Sequence, residues 1–152
     1  MHVMLAHIGP RAGAKDVFDG IVQDYLKRCA EVMRCGAEAF RDEKAMLEWL
    51  GRQRGRTAAV VFLLDSRGRQ MSSESLAAWL GERRDEGTQH VVFAVGGPDG
   101  WSEEARAEAK RRGGLLSLGP MTLAHQLARL VMAEQIYRAC TILTGHPYHT
   151  GH

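Results

Sequence analysis

The stretch Val91-Val-Phe-Ala-Val-Gly-Gly-Pro-Asp-Gly100 constrains the fold more than any other part of the chain. Val91 to Val95 form an unbroken apolar run rich in β-branched residues. A strand with one wet face would alternate apolar with polar. An unbroken run suits a strand covered on both faces, as in a parallel sheet. Gly96 and Gly97 follow at once. A helix start comes next, with Ser102 as N-cap and Glu103 and Glu104 in the first turn, where carboxylates meet the positive end of the helix dipole. Strand, glycine turn and helix N-terminus together make a ligand-binding edge of an open α/β sheet. The same glycines also serve a strand-to-helix turn for geometry alone. The stretch is neither G-x-G-x-x-G nor a Walker loop, since no Gly-Lys-Ser/Thr follows. Taken alone, it leaves both readings open.

The flanking chain repeats the pattern. His2 to Ile8 reads as a first strand. From about Lys15 to Met33 the period is helical, with Val17, Phe18, Ile21, Val22, Tyr25, Leu26, Cys29, Val32 and Met33 on the apolar face and Asp16 near the cap. Residues 34–40 read either as a short edge strand or as irregular chain. Asp42 to Arg54 is expected to be a helix with Met46, Leu47, Trp49 and Leu50 inward, leading to a basic loop at Arg52, Arg54 and Arg56. Thr57 to Leu64 is a second buried strand, ending at Asp65. Ser72 or Ser73 opens a helix that Gly87 ends. The helix Glu103 to Arg112 stops at Gly113-Gly114, Leu115 to Leu118 is a brief strand, and Thr122 is placed to cap a last helix from about Leu123 to Ile142. Strands alternating with helices imply a parallel sheet with right-handed crossovers. The last helix is apolar around much of its circumference, so it lies in the core or at a subunit interface.

A length of 152 residues suits a single domain over residues 1–152. A net charge of +2 permits an RNA or phosphate partner without arguing for one. The three cysteines, Cys29, Cys35 and Cys140, suggest neither a disulfide framework nor a zinc site by their spacing, and Cys29 and Cys140 fall at apolar helix positions. No apolar run is long enough to span a bilayer, and the start of the chain lacks the pattern of a signal peptide, so a cytoplasmic setting is expected.

Nucleophilic-enzyme patterns are absent: there is no G-x-S-x-G and no H-E-x-x-H. Asp65, at a strand end, is either catalytic or a cap. His146, Tyr148, His149 and His152 crowd the end of the chain. That tail reads as a frayed terminus, as a fortuitous metal binder, or as a segment folded over a ligand; with no carboxylate beside the histidines, no metal site is expected. Three loops, after Leu64, Val95 and Leu118, make the ligand edge.

Several motifs together are more specific. They are Leu64-Asp65 with Gly68, Gly96-Gly97-Pro98-Asp99-Gly100, Leu118 with the run Met121 to Arg129, the run Ala133 to Ala139, and His146-Pro147-Tyr148-His149. In order and approximate spacing they resemble the RlmH family, SPOUT-class methyltransferases that act on a pseudouridine of large-subunit ribosomal RNA. The likeness is strongest over residues 57–149 and takes in the first strand and helix. The region 34–56 is short relative to the family.

The resemblance implies a parallel-sheet SPOUT methyltransferase fold with a C-terminal trefoil knot, a homodimer, and S-adenosyl-L-methionine as cofactor. It places the cofactor at Leu64, Gly96, Gly97, Leu118, Gly119, Pro120, Met121, Thr122 and Leu123. It implies Tyr148 and His149 as catalytic residues, and methylation of N3 of a pseudouridine in 23S rRNA on the assembled ribosome, with no membrane or DNA partner. Arg129, Arg138 and His146 are expected to touch RNA, and Arg52, Arg54, Arg56, Arg67 and Arg69 are further candidates for phosphate. One departure stands out: Thr150 occupies the place where the family has Arg or Lys after Tyr-His. Arg138 or His152 is positioned in sequence to replace that cation. A non-catalytic ribosome- or RNA-binding module that keeps the fold is the alternative.

Overall fold

The computed structural model describes residues 1–53 and 57–150, so Arg54 and Arg56 of the basic loop, and His152, lie outside the described residues. The elements run β1 (His2–Ile8), α1 (Val17–Arg28), β2 (Arg34–Phe40), α2 (Glu43–Arg52), β3 (Val60–Gln70), α3 (Ser73–Asp85), β4 (His90–Val95), α4 (Glu103–Arg112), β5 (Gly114–Ser117) and α5 (His125–Thr144). A short 3-10 turn, Pro147–His149, follows α5. The strands form one five-stranded sheet in the order β2-β1-β4-β3-β5, and every pairing is parallel. Residues 34–40 are therefore an edge strand, paired to β1 along its length.

The opening stretch behaves as its composition requires. Alternate residues of β4 point to opposite faces, and both faces are covered. Val91, Phe93 and Val95 pack with Val22 and Leu26 of α1, Leu76 and Leu80 of α3, and Met132 and Ile136 of α5. Val92 and Ala94 pack with Met46 and Leu50 of α2 and with Ala105 and Ala109 of α4. The molecule is thus a three-layered sandwich, with Val91 to Val95 of β4 buried between the layers.

Local chemistry sets the helix starts. Asp16, Asp42, Ser72 and Ser102 each accept a hydrogen bond from a backbone N–H three residues on, at 3.1, 2.8, 3.0 and 3.1 Å. Glu43, in the first turn of α2, also accepts from both the backbone N–H and the hydroxyl of Ser102, at 2.8 and 2.6 Å. That carboxylate ties the starts of α2 and α4 together on one face of the sheet.

Four expectations need correction. First, α1 ends at Arg28, and its buried stripe is Val22 and Leu26 followed by Cys29. Val17, Phe18 and Ile21 share the helix but lie on a flank that the described residues cover only in part, and Val17 is 74% exposed. Second, β3 does not stop at Leu64. The chain leaves the ladder there and re-enters at Arg69, so Leu64 and Arg69 both stand opposite Leu116. The bulge of residues 65–68 aims Asp65 away from the sheet, as bulges do near functional edges. Gly68 closes it, because a Cβ there would collide with the backbone of Leu115 and Leu116. Third, the final strand is Gly114–Ser117 rather than one reaching Leu118, which is half exposed and belongs to the loop. Fourth, Thr122 does not cap α5. The helix begins at His125 after Ala124, with no side-chain cap, and Thr122 lines a cavity instead.

Candidate active site

The bulge within β3 and the loops that leave the carboxyl ends of β4 and β5 lie side by side, since the three strands are neighbours in the sheet. They enclose a cavity of about 330 Å³, at the lower end of the range for small-molecule sites. Its walls hold Leu64, Gly96, Gly97, Leu118, Gly119, Met121, Thr122 and Leu123, which are all the expected cofactor residues except Pro120.

The two glycines divide the work that the sequence left undivided. A Cβ on Gly96 would sit 3.1 Å from Cε2 of Trp101, so Gly96 is small because the indole lies on it. At Gly97 the nearest atom to such a Cβ is a methyl of Ile8, 3.9 Å away. Gly97 therefore opens on free space, and its backbone is accessible to a ligand.

Trp101 was not among the expected site residues. It is buried, lines the cavity, and donates its indole N–H to the carbonyl of Leu64 at 3.0 Å. It thereby joins the β4 loop to the end of β3. The available signal was position: an apolar residue just before the N-cap Ser102 commonly packs inward.

Asp65 and Arg106 supply the polar wall. Asp65 accepts from the backbone N–H of Arg67 at 2.9 Å and from Nε of Arg106 at 3.0 Å, and its side chain is 7% exposed. Burial alone would raise its pKa. The Arg67 amide and the Arg106 guanidinium outweigh that and hold the carboxyl below its usual range. Asp65 is thus a fixed anion whose partner guanidinium also faces the cavity.

The tail folds back rather than fraying. Tyr148 stands edge-on to Tyr137 at 4.7 Å between centroids, lies under the Arg138 guanidinium at 4.9 Å, and donates its hydroxyl to Glu134 at 3.1 Å. Burial and hydrogen bonds with Tyr25 and Glu134 push its phenol above the ordinary range. Tyr148 therefore stays protonated near neutrality and acts as a donor, not a base. His149 lies between Arg138, 3.0 Å from Nδ1, and Glu74, 2.7 Å from Nε2. An arginine only donates, so Nδ1 is the acceptor and Nε2 carries the hydrogen given to Glu74. That hydrogen bond from His149 in turn lowers the Glu74 carboxyl. Arg138 thus stands beside the imidazole, with its own guanidinium paired to Glu134 at 2.6 Å.

Neither Tyr148 nor His149 lines the cavity of its own chain. A second cavity, also of about 330 Å³, shares Leu116, Leu118 and Gly119 with the first and extends to Ser73 and Gln135. Those two residues are adjacent in sequence to Glu74 and Glu134, the carboxylates that hold the tail. The expected RNA contacts are scattered. Arg129 is 8% exposed and bound to Asp19 at 2.8 Å, so its charge is matched inside the chain. Arg138 belongs to the tail network, His146 caps the 3-10 turn, and Arg67 borders the cavity. Arg69 lies over the Phe62 ring, 5.3 Å from its centroid.

Fold and cavity together define a class: a parallel α/β protein that binds a small ligand between three loops at the carboxyl edge of its sheet. The profile described as Predicted SPOUT methyltransferase matches residues 1–149, and the chain belongs to that family. Among curated relatives, the ribosomal RNA large subunit methyltransferase H of Koribacter versatilis is 48% identical over 129 residues, covering 85% of this chain and 86% of its own length. The protein of the same name from Trichlorobacter lovleyi is 41% identical over 136 residues, covering 84% of this chain and 87% of its own. A solved ribosomal RNA small subunit methyltransferase E from Neisseria gonorrhoeae, bound to S-adenosyl methionine, aligns over 94% of this chain and 66% of its own. That pair has 16% identity and a TM-score of 0.47.

Proposed function

We propose that this chain is a single-domain, S-adenosylmethionine-dependent methyltransferase that methylates N3 of a pseudouridine in 23S rRNA, working in the cytoplasm as a homodimer on the assembled ribosome. The observation that carries the reading is the three-loop cavity, which draws eight of the nine expected cofactor residues to one place. The printed names of the relatives at 48% and 41% identity support the rRNA substrate. Among the described residues no helix is long and apolar enough to cross a membrane.

The cavity fits the cofactor by chemistry as well as size. The open backbone of Gly97 admits a flat ring, Leu64, Met121 and Leu123 give apolar walls, and Asp65 with Arg106 offers charge to an amino-acid moiety. When bound, the cofactor supplies an activated methyl on a sulfonium, so no metal is required for the transfer. The chain's task is to align the acceptor nitrogen with that methyl, a proximity effect, and to manage the proton the imide must lose. Tyr148, kept protonated, positions the nucleobase by donation once its hydroxyl is released from Glu134. Arg138 stabilises negative charge developing on the imide. His149 accepts the proton at Nδ1 once the substrate displaces the Arg138 contact, while Glu74 steadies the ring through Nε2. Because the tail lies outside its own cavity, the dimer reading pairs the cavity of one protomer with the tail of its partner. Val17, Phe18 and Ile21, exposed at least in part on this chain, give a partner a surface to cover.

The test has two arms. Calorimetry with S-adenosylmethionine and its demethylated product is expected to give saturable binding. Mass spectrometry of 23S rRNA from a strain lacking the chain is expected to show one methyl missing from a pseudouridine, restored by complementation. Absence of cofactor binding defeats the reading. Normal ribosome binding without methyl transfer would make the chain a non-catalytic module.

A further inference from the structure

The cysteines, 29, 35 and 140 in sequence, are spaced to suggest nothing, yet the fold gathers them. Cys29 caps the end of α1, Cys35 sits on the edge strand β2 opposite Val3, and Cys140 lies within α5. Their three Sγ atoms all lie within 4.8 Å of one another. Cys29 and Cys140 are buried, whereas Cys35 is partly exposed and offers an entry path. Three thiols in a core can act merely as small apolar groups. Here, though, they converge from three separate elements onto a common centre. Sulfurs bound at about 2.3 Å around one ion in a plane stand roughly 4 Å apart. The separations here reach at most 4.8 Å, so ligation calls for only a small inward shift.

We propose that Cys29, Cys35 and Cys140 form a three-thiolate site for a soft, thiophilic ion of the Cu(I) class. The donor set chooses the ion. Structural zinc takes four ligands, and no His, Asp or Glu joins this cluster among the described residues. A compact all-sulfur set suits soft, low-coordinate Cu(I). On ligation each thiol releases its proton to solvent, and the ion enters already reduced, so no electron changes hands. The bound ion would fasten the end of α1 and the edge strand β2 to α5, the helix that carries Glu134 and Arg138. The site is separate from the cavity and does not depend on the methyltransferase reading.

The test uses the full chain, purified without oxygen with its thiols reduced, and titrated with Cu(I) against a chromophoric chelator. One Cu(I) per chain is expected, with X-ray absorption showing three sulfur neighbours at about 2.3 Å, and the ion should raise the melting temperature. Cys35→Ser, at the least buried of the three positions, should abolish stoichiometric binding while leaving the far-ultraviolet dichroism unchanged. A variant with His146, His149 and His152 all changed to Ala should bind as before. Three results overturn the proposal: complete removal of copper from the wild type by the chelator, copper binding that survives Cys35→Ser but is lost with the tail histidines, or tight Zn(II) binding in preference to Cu(I).

Discussion

Trp101 donates its indole N–H to the carbonyl oxygen of Leu64 at 3.0 Å, while its ring lies against Gly96. One side chain thus sets the spacing between two of the three loops that form the cavity. Trp101→Phe keeps the ring but leaves the Leu64 carbonyl without this partner. The expected cost is about 1–2 kcal/mol, or a fall in Tm of about 3–6 °C for a chain of this size. Cofactor affinity measured by calorimetry should fall with it. Unchanged affinity would mean that the loops are held without the indole.

Gly96 and Gly97 are adjacent but should respond in opposite ways. Gly97→Ala adds a methyl where only Ile8 comes near, at 3.9 Å, so stability should change by less than about 0.5 kcal/mol. Cofactor binding should weaken, because the methyl occupies space a ligand needs. Gly96→Ala pushes on Trp101 and should lower Tm in the absence of any ligand, through overpacking worth about 1–3 kcal/mol. Thermal melts of the two variants, with and without S-adenosylmethionine, separate the effects. Equal loss of stability in both would refute the division of roles.

Arg138 and His149 should act on turnover rather than on the cofactor. His149→Ala is expected to lower kcat by about 100-fold or more, the usual scale for a lost proton acceptor. Arg138→Gln should also lower kcat, and Arg138→Lys should recover part of it, since a lysine keeps the charge but not the planar fork. Calorimetric affinity for the cofactor should stay at the wild-type value in all three. Loss of affinity in step with turnover would place the tail in cofactor binding instead.

The Asp65–Arg106 pair makes a prediction about pH. The Asp65 carboxyl is held below its ordinary value in the folded chain. Its stabilising contribution is therefore complete above the unfolded carboxylate value near 3.9 and disappears as pH falls through the lower folded value. Asp65→Asn should reduce stability at pH 7, since Arg106 then keeps only the exposed Glu103 carboxylate, 2.8 Å away, as its counter-charge. Denaturant melts at pH 7, 5 and 3 should show the difference between wild type and variant constant over the first two and shrinking at pH 3. A gap that persists undiminished at pH 3 would remove charge from the explanation.

Much of this was legible because the signals were local. An unbroken apolar run announces a strand enclosed on both faces, and Ser102 or Asp42 announces a helix start through a hydrogen bond to a backbone N–H three residues away. What escaped depended on contacts distant in sequence. The indole of Trp101 reaches a carbonyl 37 positions away. The bulge after Leu64 exists because Arg69 returns to the same partner, Leu116, on a strand the sequence places much later. Thr122 has the right chemistry for a cap, but it lines the cavity and α5 starts only at His125. The cysteines carry no informative spacing and meet only through the packing of α5 beside α1 and β2. Periodicity placed Val17, Phe18 and Ile21 on an apolar helix surface, yet it cannot say which molecule covers that surface.

That last point can be tested directly. Val17, Phe18 and Ile21 follow one flank of α1, and Asp19 on the same turns is bound to Arg129 of α5. Leu127, in the first turns of α5, is likewise exposed, as are Leu118 and, at 81%, Met121 at the rim of the cavity. A second copy covering this apolar margin would place its own residues beside the cofactor site. Ile21→Asp puts a charge on a position that is only half exposed in the lone chain and enclosed in the proposed dimer. Burying an unpaired carboxylate at an interface costs several kcal/mol, whereas on a lone chain the same change should cost less than about 1 kcal/mol. Sedimentation should therefore show a folded monomer for the variant and the proposed dimer for the wild type, and methyl transfer to ribosomes should fall with the dimer fraction. A wild-type chain that sediments as a monomer at micromolar concentration, or an Ile21→Asp chain that remains both dimeric and active, would mean that a different surface completes the site.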